Sequence, residues 1–170
     1  MKHFQPRSLD VIARQIVDVD PALNAAELLR LVPRAKVTKL RNGCVVTITV
    51  RESDLSVTPD VHFQFDHQAR IVSAAWGQFY PEASEAFDVF DQIERVARRH
   101  MLVSPTQRIT VGSRKARSSF GYDWRISDHQ GLTLAAAQPR VRDRGREISL
   151  RHRLRQTEAK VASTPALWGG

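Results

Sequence analysis

The apolar residues of this chain change period three times, and that switching limits the folds open to it. The stretch "SLDVIARQIVDV" sets Leu9, Ile12, Ala13 and Ile16 at helical spacing, with Ser8 in N-cap position. After Asp20-Pro21, "PALNAAELLRLV" reads as a second helix that stops before Pro33. The period then drops to two. "KVTKLRNGCVVTITVRES" is a pair of strands joined at Asn42-Gly43, two residues that tolerate positive φ and so favour a tight hairpin. Val46, Ile48 and Val50 point one way, and Thr47, Thr49 and Arg51 the other. "VHFQFDHQARIVSAAW" repeats the pattern, with Val61, Phe63 and Phe65 inward and a turn near 66–68.

Helical spacing returns in "PEASEAFDVFDQIERVARRHML", where Phe87, Phe90, Ile93, Ala97 and Met101 form the apolar stripe. Acidic residues crowd its first turns, while Arg95, Arg98 and Arg99 sit in its last turns. That order complements the helix dipole and gives the acidic cluster a structural reason. Period two then resumes through "RITVGS", "FGYDWRIS" and "LTLAAA". Phe120, Tyr122, Trp124 and Ile126 alternate with Gly121, Asp123 and Arg125, which marks the aromatic row as the core face of a strand. Exposed, the same row could stack unpaired bases.

The expected fold class is therefore α+β. Two N-terminal helices precede an antiparallel sheet over 34–77, a helix at 82–102 packs on that sheet, and a second, basic β-rich region follows at 108–156. The chain divides into a charge-balanced region 1–102, a hairpin region 103–137 and an arginine-rich segment 138–170. No internal repeat is visible in the residues.

Charge sharpens the division. Residues 1–102 carry 13 Lys and Arg against 13 Asp and Glu, whereas residues 103–170 carry 13 against 5, so the whole excess of +8 lies in the second region. A surplus confined to one part of a chain is the footprint of a polyanion-binding face. In "ISLRHRLRQ", Ile148, Leu150, His152 and Leu154 share one face of a strand, with Ser149, Arg151, Arg153 and Arg155 on the other. A helix would scatter Ile148 and Leu150 to opposite sides. Arginines alternating along a strand stand about 7 Å apart, a spacing suited to successive phosphates. The plainer reading is an edge strand guarded by charge.

Catalytic signals are sparse. His62, Asp66 and His67 cluster in sequence near a strand end, but no further ligand motif accompanies them, and a surface polar trio accounts for them. Cys44, the single cysteine, permits no internal disulfide and has no evident histidine partner. The glycines form no phosphate loop. The N-terminus has no apolar run of signal-peptide length, and no stretch is apolar enough to span a bilayer, so the expectation is a cytoplasmic protein without cofactor or membrane.

"NAAELLRLVP", "VVTITVRES", "VHFQFDHQARIVSA" and "FYPEASEAFDVFDQIERVARRHML", taken in order, resemble the YqiB-like family of uncharacterised bacterial proteins over roughly residues 22–102. The family's Tyr-His-Asp-Ala step stands here as Phe65, Asp66, His67, Gln68 and Ala69, a departure from its pattern. The resemblance implies an α+β fold and transfers no catalytic residue.

These observations point to a non-enzymatic accessory protein that binds nucleic acid, DNA or RNA, through phosphate contacts. The candidate residues are Arg114, Lys115 and Arg117 in a loop, Arg125 on a strand, Arg140, Arg142, Arg144 and Arg146 at a junction, and Arg151, Arg153 and Arg155. The alternative is a protein-binding accessory subunit, or an inhibitor encoded by a mobile element, that uses the balanced half and the acidic part of the 82–102 helix.

Overall fold

In the computed structural model, residues 6–50, 60–113, 117–140, 142 and 144–155 are described. Alternating apolar residues produce eight strands: β1 (Lys36–Leu40), β2 (Gly43–Thr49), β3 (Asp60–Asp66), β4 (Ile71–Tyr80), β5 (Thr106–Thr110), β6 (Ser119–Arg125), β7 (Gly131–Ala137) and β8 (Arg146–Arg153). All eight join one antiparallel sheet in the order β1-β2-β3-β4-β8-β7-β6-β5. Three helices, α1 (Pro6–Val17), α2 (Ala25–Leu31) and α3 (Ala83–His100), complete the described chain.

The architecture corrects the expected α+β class. Strands hold 56 of the described residues and helices 37, so the protein is mainly β, built on one eight-stranded sheet with helices packed against it. The two β regions are not separate. β4 and β8 pair along their length, from Ser73↔Arg153 to Tyr80↔Arg146, and fuse the two meanders at the centre. β8 is thus an interior strand, which removes the guarded-edge explanation for its arginines.

The sheet also contains a repeat that the residues conceal. Each half ends in a four-stranded meander running from an edge to the centre, preceded by α1 and α2 in the first half and by α3 in the second. The transverse row Val37, Val46, Phe63, Ala74 corresponds to Ile109, Phe120, Ala136, Ile148. The pairs Ala74↔His152 and Gln78↔Ile148 exchange under the same topological two-fold, which passes beside Trp76↔Leu150.

One face of the sheet is covered. Leu9, Ile12, Ala13 and Ile16 of α1 are buried, as are Val89, Phe90, Ile93, Val96 and Ala97 of α3. The true stripe of α3 is rotated from the expected one, because Phe87 remains 39% exposed. Trp124, Leu134, Ile148 and Leu150 meet these helices from the sheet, and each such buried side chain contributes roughly 1.5–3 kcal/mol. The aromatic row divides: Trp124 is fully buried, Phe120 lies 5.5 Å from Phe90, and Ile126 falls beyond β6 and is exposed. Asn24 caps α2 by accepting from the Glu27 N–H at 2.9 Å.

His152 links the sheet to α1. It is buried on the covered face, and its Nδ1–H donates to the Ile16 carbonyl at 2.9 Å, which fixes the tautomer because a carbonyl can only accept. Nε2 then accepts from the Gln130 amide at 3.3 Å. Burial pushes its pKa below the ordinary 6.5, against the Ile16 and Val17 carbonyls and Asp18, which favour the proton. As pH falls the unfolded chain takes up this proton first. Stability should therefore be full above about pH 6.5 and decline below it, until the folded imidazole also protonates. Denaturant unfolding at several pH values tests this: His152→Gln, which keeps a donor for Ile16, should flatten the slope below about pH 6.5.

Candidate nucleic-acid interface

Among the described residues, the other face of the sheet carries no helix. Period-two alternation that buries Ile148, Leu150 and His152 turns Ser149, Arg151 and Arg153 outward onto it. A groove of about 1080 Å³ extends over this face from β3 to β5. Small side chains form its floor, where Gly77 pairs with Ser149 and Ser149 with Ala135. Beside that floor the next row runs Ala75, Arg151, Thr133, Asp123, with Arg153 one row further.

Two carboxylates orient two of the cations at the groove. The Arg108 Nε donates to Asp123 Oδ2 at 2.8 Å, while the Thr133 hydroxyl donates to Asp123 Oδ1 at 2.9 Å. Arg125 reaches Asp128 at 2.8 Å across the β6–β7 turn. These exposed pairs add little stability, but they hold the guanidinium groups extended at the groove. On the β3 side, His62 Nδ1 lies 2.9 Å from the Thr47 hydroxyl.

The candidate arginines fall into two groups at opposite ends of β8, about 23 Å apart by strand rise. Arg151, Arg153 and Arg125 share the open face at one end. At the other end Arg140, Arg142 and Arg144 are exposed in the β7–β8 connection, beside exposed Arg117 of the β5–β6 connection. The Gln138 N–H donates to the Ser118 carbonyl at 2.9 Å and holds those two connections together. Arg146 folds back onto the carbonyls of Arg144 and Gly145 at 3.2 and 2.8 Å. Arg114 and Lys115 lie outside the described residues.

Arg155 departs from the row expected of it. β8 ends at Arg153, and the next turn bonds Leu154 N–H to the Val72 carbonyl, so the side chain of Arg155 swings to the Pro21 carbonyl at 2.8 Å. The sequence reading also missed Arg108, because its place on the groove depends on how β5 pairs. Ser73, Ala75 and Gly77, alternating with apolar residues in "IVSAAWG", carried the one available signal for the floor.

His62, Asp66 and His67 do not form a centre. A register shift between Gln64 and Phe65 breaks the alternation that would align His62 with Asp66. Burial opposes charge on Asp66, yet the N–H groups of Arg70 and Gln68 and the Arg70 guanidinium outweigh it and hold the carboxyl below its ordinary range. Asp66 thus serves the β3–β4 turn. Among the described residues, no group of three or more His, Cys, Asp or Glu side chains gathers to hold a metal ion. Burial pushes the Cys44 thiol above its ordinary value, the opposite of what a nucleophile needs.

No protein-family model, no curated protein and no solved structure matches this chain.

The two fates of the row separate by mutation. Arg155→Ala should lower unfolding free energy by about 1 kcal/mol through loss of the Pro21 contact. In a binding titration against a polyanion the same variant should stay within about twofold of the parent.

Proposed function

We propose that this chain is a non-catalytic accessory protein that binds nucleic acid by contacting phosphates through the arginines of its β5–β8 half. The observation that carries the reading is the exposure of Arg151 and Arg153 on the central strand, facing a groove that no helix of the described residues covers. Arg108 and Arg125 line the same groove, and guanidinium groups bind phosphate with paired, charge-assisted hydrogen bonds. The basic end formed by Arg117, Arg140, Arg142 and Arg144 extends the contact beyond the groove. A cytoplasmic setting belongs to the same proposal. Among the described residues, no helix is long and apolar enough to cross a membrane.

If about six phosphates are neutralised, affinity falls by on the order of a thousandfold between 50 and 200 mM salt. Single- and double-stranded DNA and RNA, titrated at several salt concentrations, test the reading. Arg151→Ala with Arg153→Ala should reduce the slope of log affinity against log salt by about 2. A slope unchanged in that variant, or no binding to any of the four ligands at low salt, contradicts it.

A second reading, a protein-binding subunit, draws on β5. The two sheet edges differ: β1 carries Lys36 and Lys39, which discourage strand addition, whereas Arg108 of β5 is drawn onto Asp123. Ile109 and Val111 stand 68% and 84% exposed there. An extended partner segment could add a strand along that edge. Under this reading Ile109→Lys abolishes recovery of a protein partner from nuclease-treated lysate, while salt-dependent nucleic-acid binding is unchanged.

A further inference from the structure

Aromatic and cationic side chains are sorted to opposite faces of this sheet. Phe120, Tyr122 and Trp124 lie on the covered face in ring contact with one another or with Phe90, and the Arg98 guanidinium sits 5.0 Å from the Tyr122 ring centre. Arg108, Arg125, Arg151 and Arg153 lie along the groove of the open face. Proteins that hold single strands use aromatic platforms, because unpaired bases gain about 1–3 kcal/mol each by stacking. The groove has no such aromatic row. Of the Phe, Tyr and Trp residues that line it, Trp76 and Trp124 are buried and Phe79 stands exposed at the rim beside Glu147. The imidazoles of His62 on β3 and His129 in the β6–β7 turn line it separately.

We infer that the groove receives a nucleic-acid duplex through its sugar–phosphate backbone, with the bases turned away from the protein. This rests on the nucleic-acid reading above and specifies its ligand. Small floor residues allow a backbone to approach closely. The four strands β6, β7, β8 and β4 span about 14 Å, the rise of about four nucleotides along one strand. Arg151 and Arg153 border this path on one side and Glu147 stands on the other, so the backbone lies against the arginine wall. In a duplex the bases are already stacked and paired, and nothing is lost by leaving them out of the contact. A single strand keeps the phosphates but finds no continuous aromatic row on which to stack. Its lower charge density also makes it the weaker ligand.

The test compares a DNA duplex of about 20 base pairs with its separated strand by fluorescence anisotropy at low salt, with inorganic polyphosphate as a base-free competitor. The duplex should bind at least as tightly as the single strand, and polyphosphate should displace it. Single-strand binding about tenfold tighter, or failure of polyphosphate to compete, overturns the inference and leaves nucleic-acid binding itself intact. Failure of every ligand to bind removes the underlying reading instead. Two floor variants locate the contact. Gly77→Tyr is accommodated at its Cβ, whose nearest neighbour would be the Ile148 carbonyl oxygen at 3.7 Å, and Ser149→Glu adds a negative charge. Each, once shown to melt cooperatively, should weaken duplex binding by about tenfold or more. Unchanged binding by the folded variants overturns the placement in the groove.

Discussion

The pairing of β4 with β8 is the joint on which the rest of the molecule depends. It brings together strands that lie some seventy residues apart, and the loop-closure entropy of that separation must be offset by what the joint buries. Trp76, Ile148, Leu150 and His152 do so beneath α1 and α3. The same register decides what faces outward. Because Trp76 opposes Leu150 on the covered side, Ala75 and Gly77 must meet Arg151 and Ser149 on the open side. Core and groove are therefore two consequences of one alignment, and a one-residue slip would exchange them.

Sorting by face has an electrostatic consequence. The covered face is apolar, with His152 satisfied by the Ile16 carbonyl, while the buried indole N–H groups of Trp76 and Trp124 have no hydrogen-bond partner among the described residues. The open face is exposed to solvent, so its guanidinium groups avoid the cost of burial. Asp123 and Asp128 lower the local charge while orienting Arg108 and Arg125, and an incoming phosphate would compete with carboxylates for those donors.

Local features were legible in the residues where local physics determines them. The Asn42-Gly43 hairpin joins β1 to β2, with Gly43 at φ 146°, and the alternation in "ISLRHR" produces β8. What the residues withheld was partner choice. Periodicity tells a strand which side to bury but not which strand lies beside it, and so the residues leave open whether the two β regions share a sheet; the structure makes them halves of one. The two-fold repeat was hidden because packing requires only apolar character at equivalent sites. Val46 and Phe120 hold the same position, as do Phe63 and Ala136, with no residue in common. At the candidate site, Arg151 and Arg153 followed from alternation. Arg155 did not, because strand pairing stops two residues before it. Arg108 did not because its placement is a tertiary fact.

The central claim is that the uncovered face of the sheet, and neither α3 nor the β5 edge, is the working surface. Amide chemical-shift mapping during titration with a short DNA duplex tests this most directly. The account requires the largest changes at Gly77, Ala135, Ser149, Arg151 and Arg153, with the amides of Val89, Phe90 and Ile93 in α3 undisturbed. Changes confined to α3, or to Gln107, Ile109 and Val111 along the β5 edge, would contradict it.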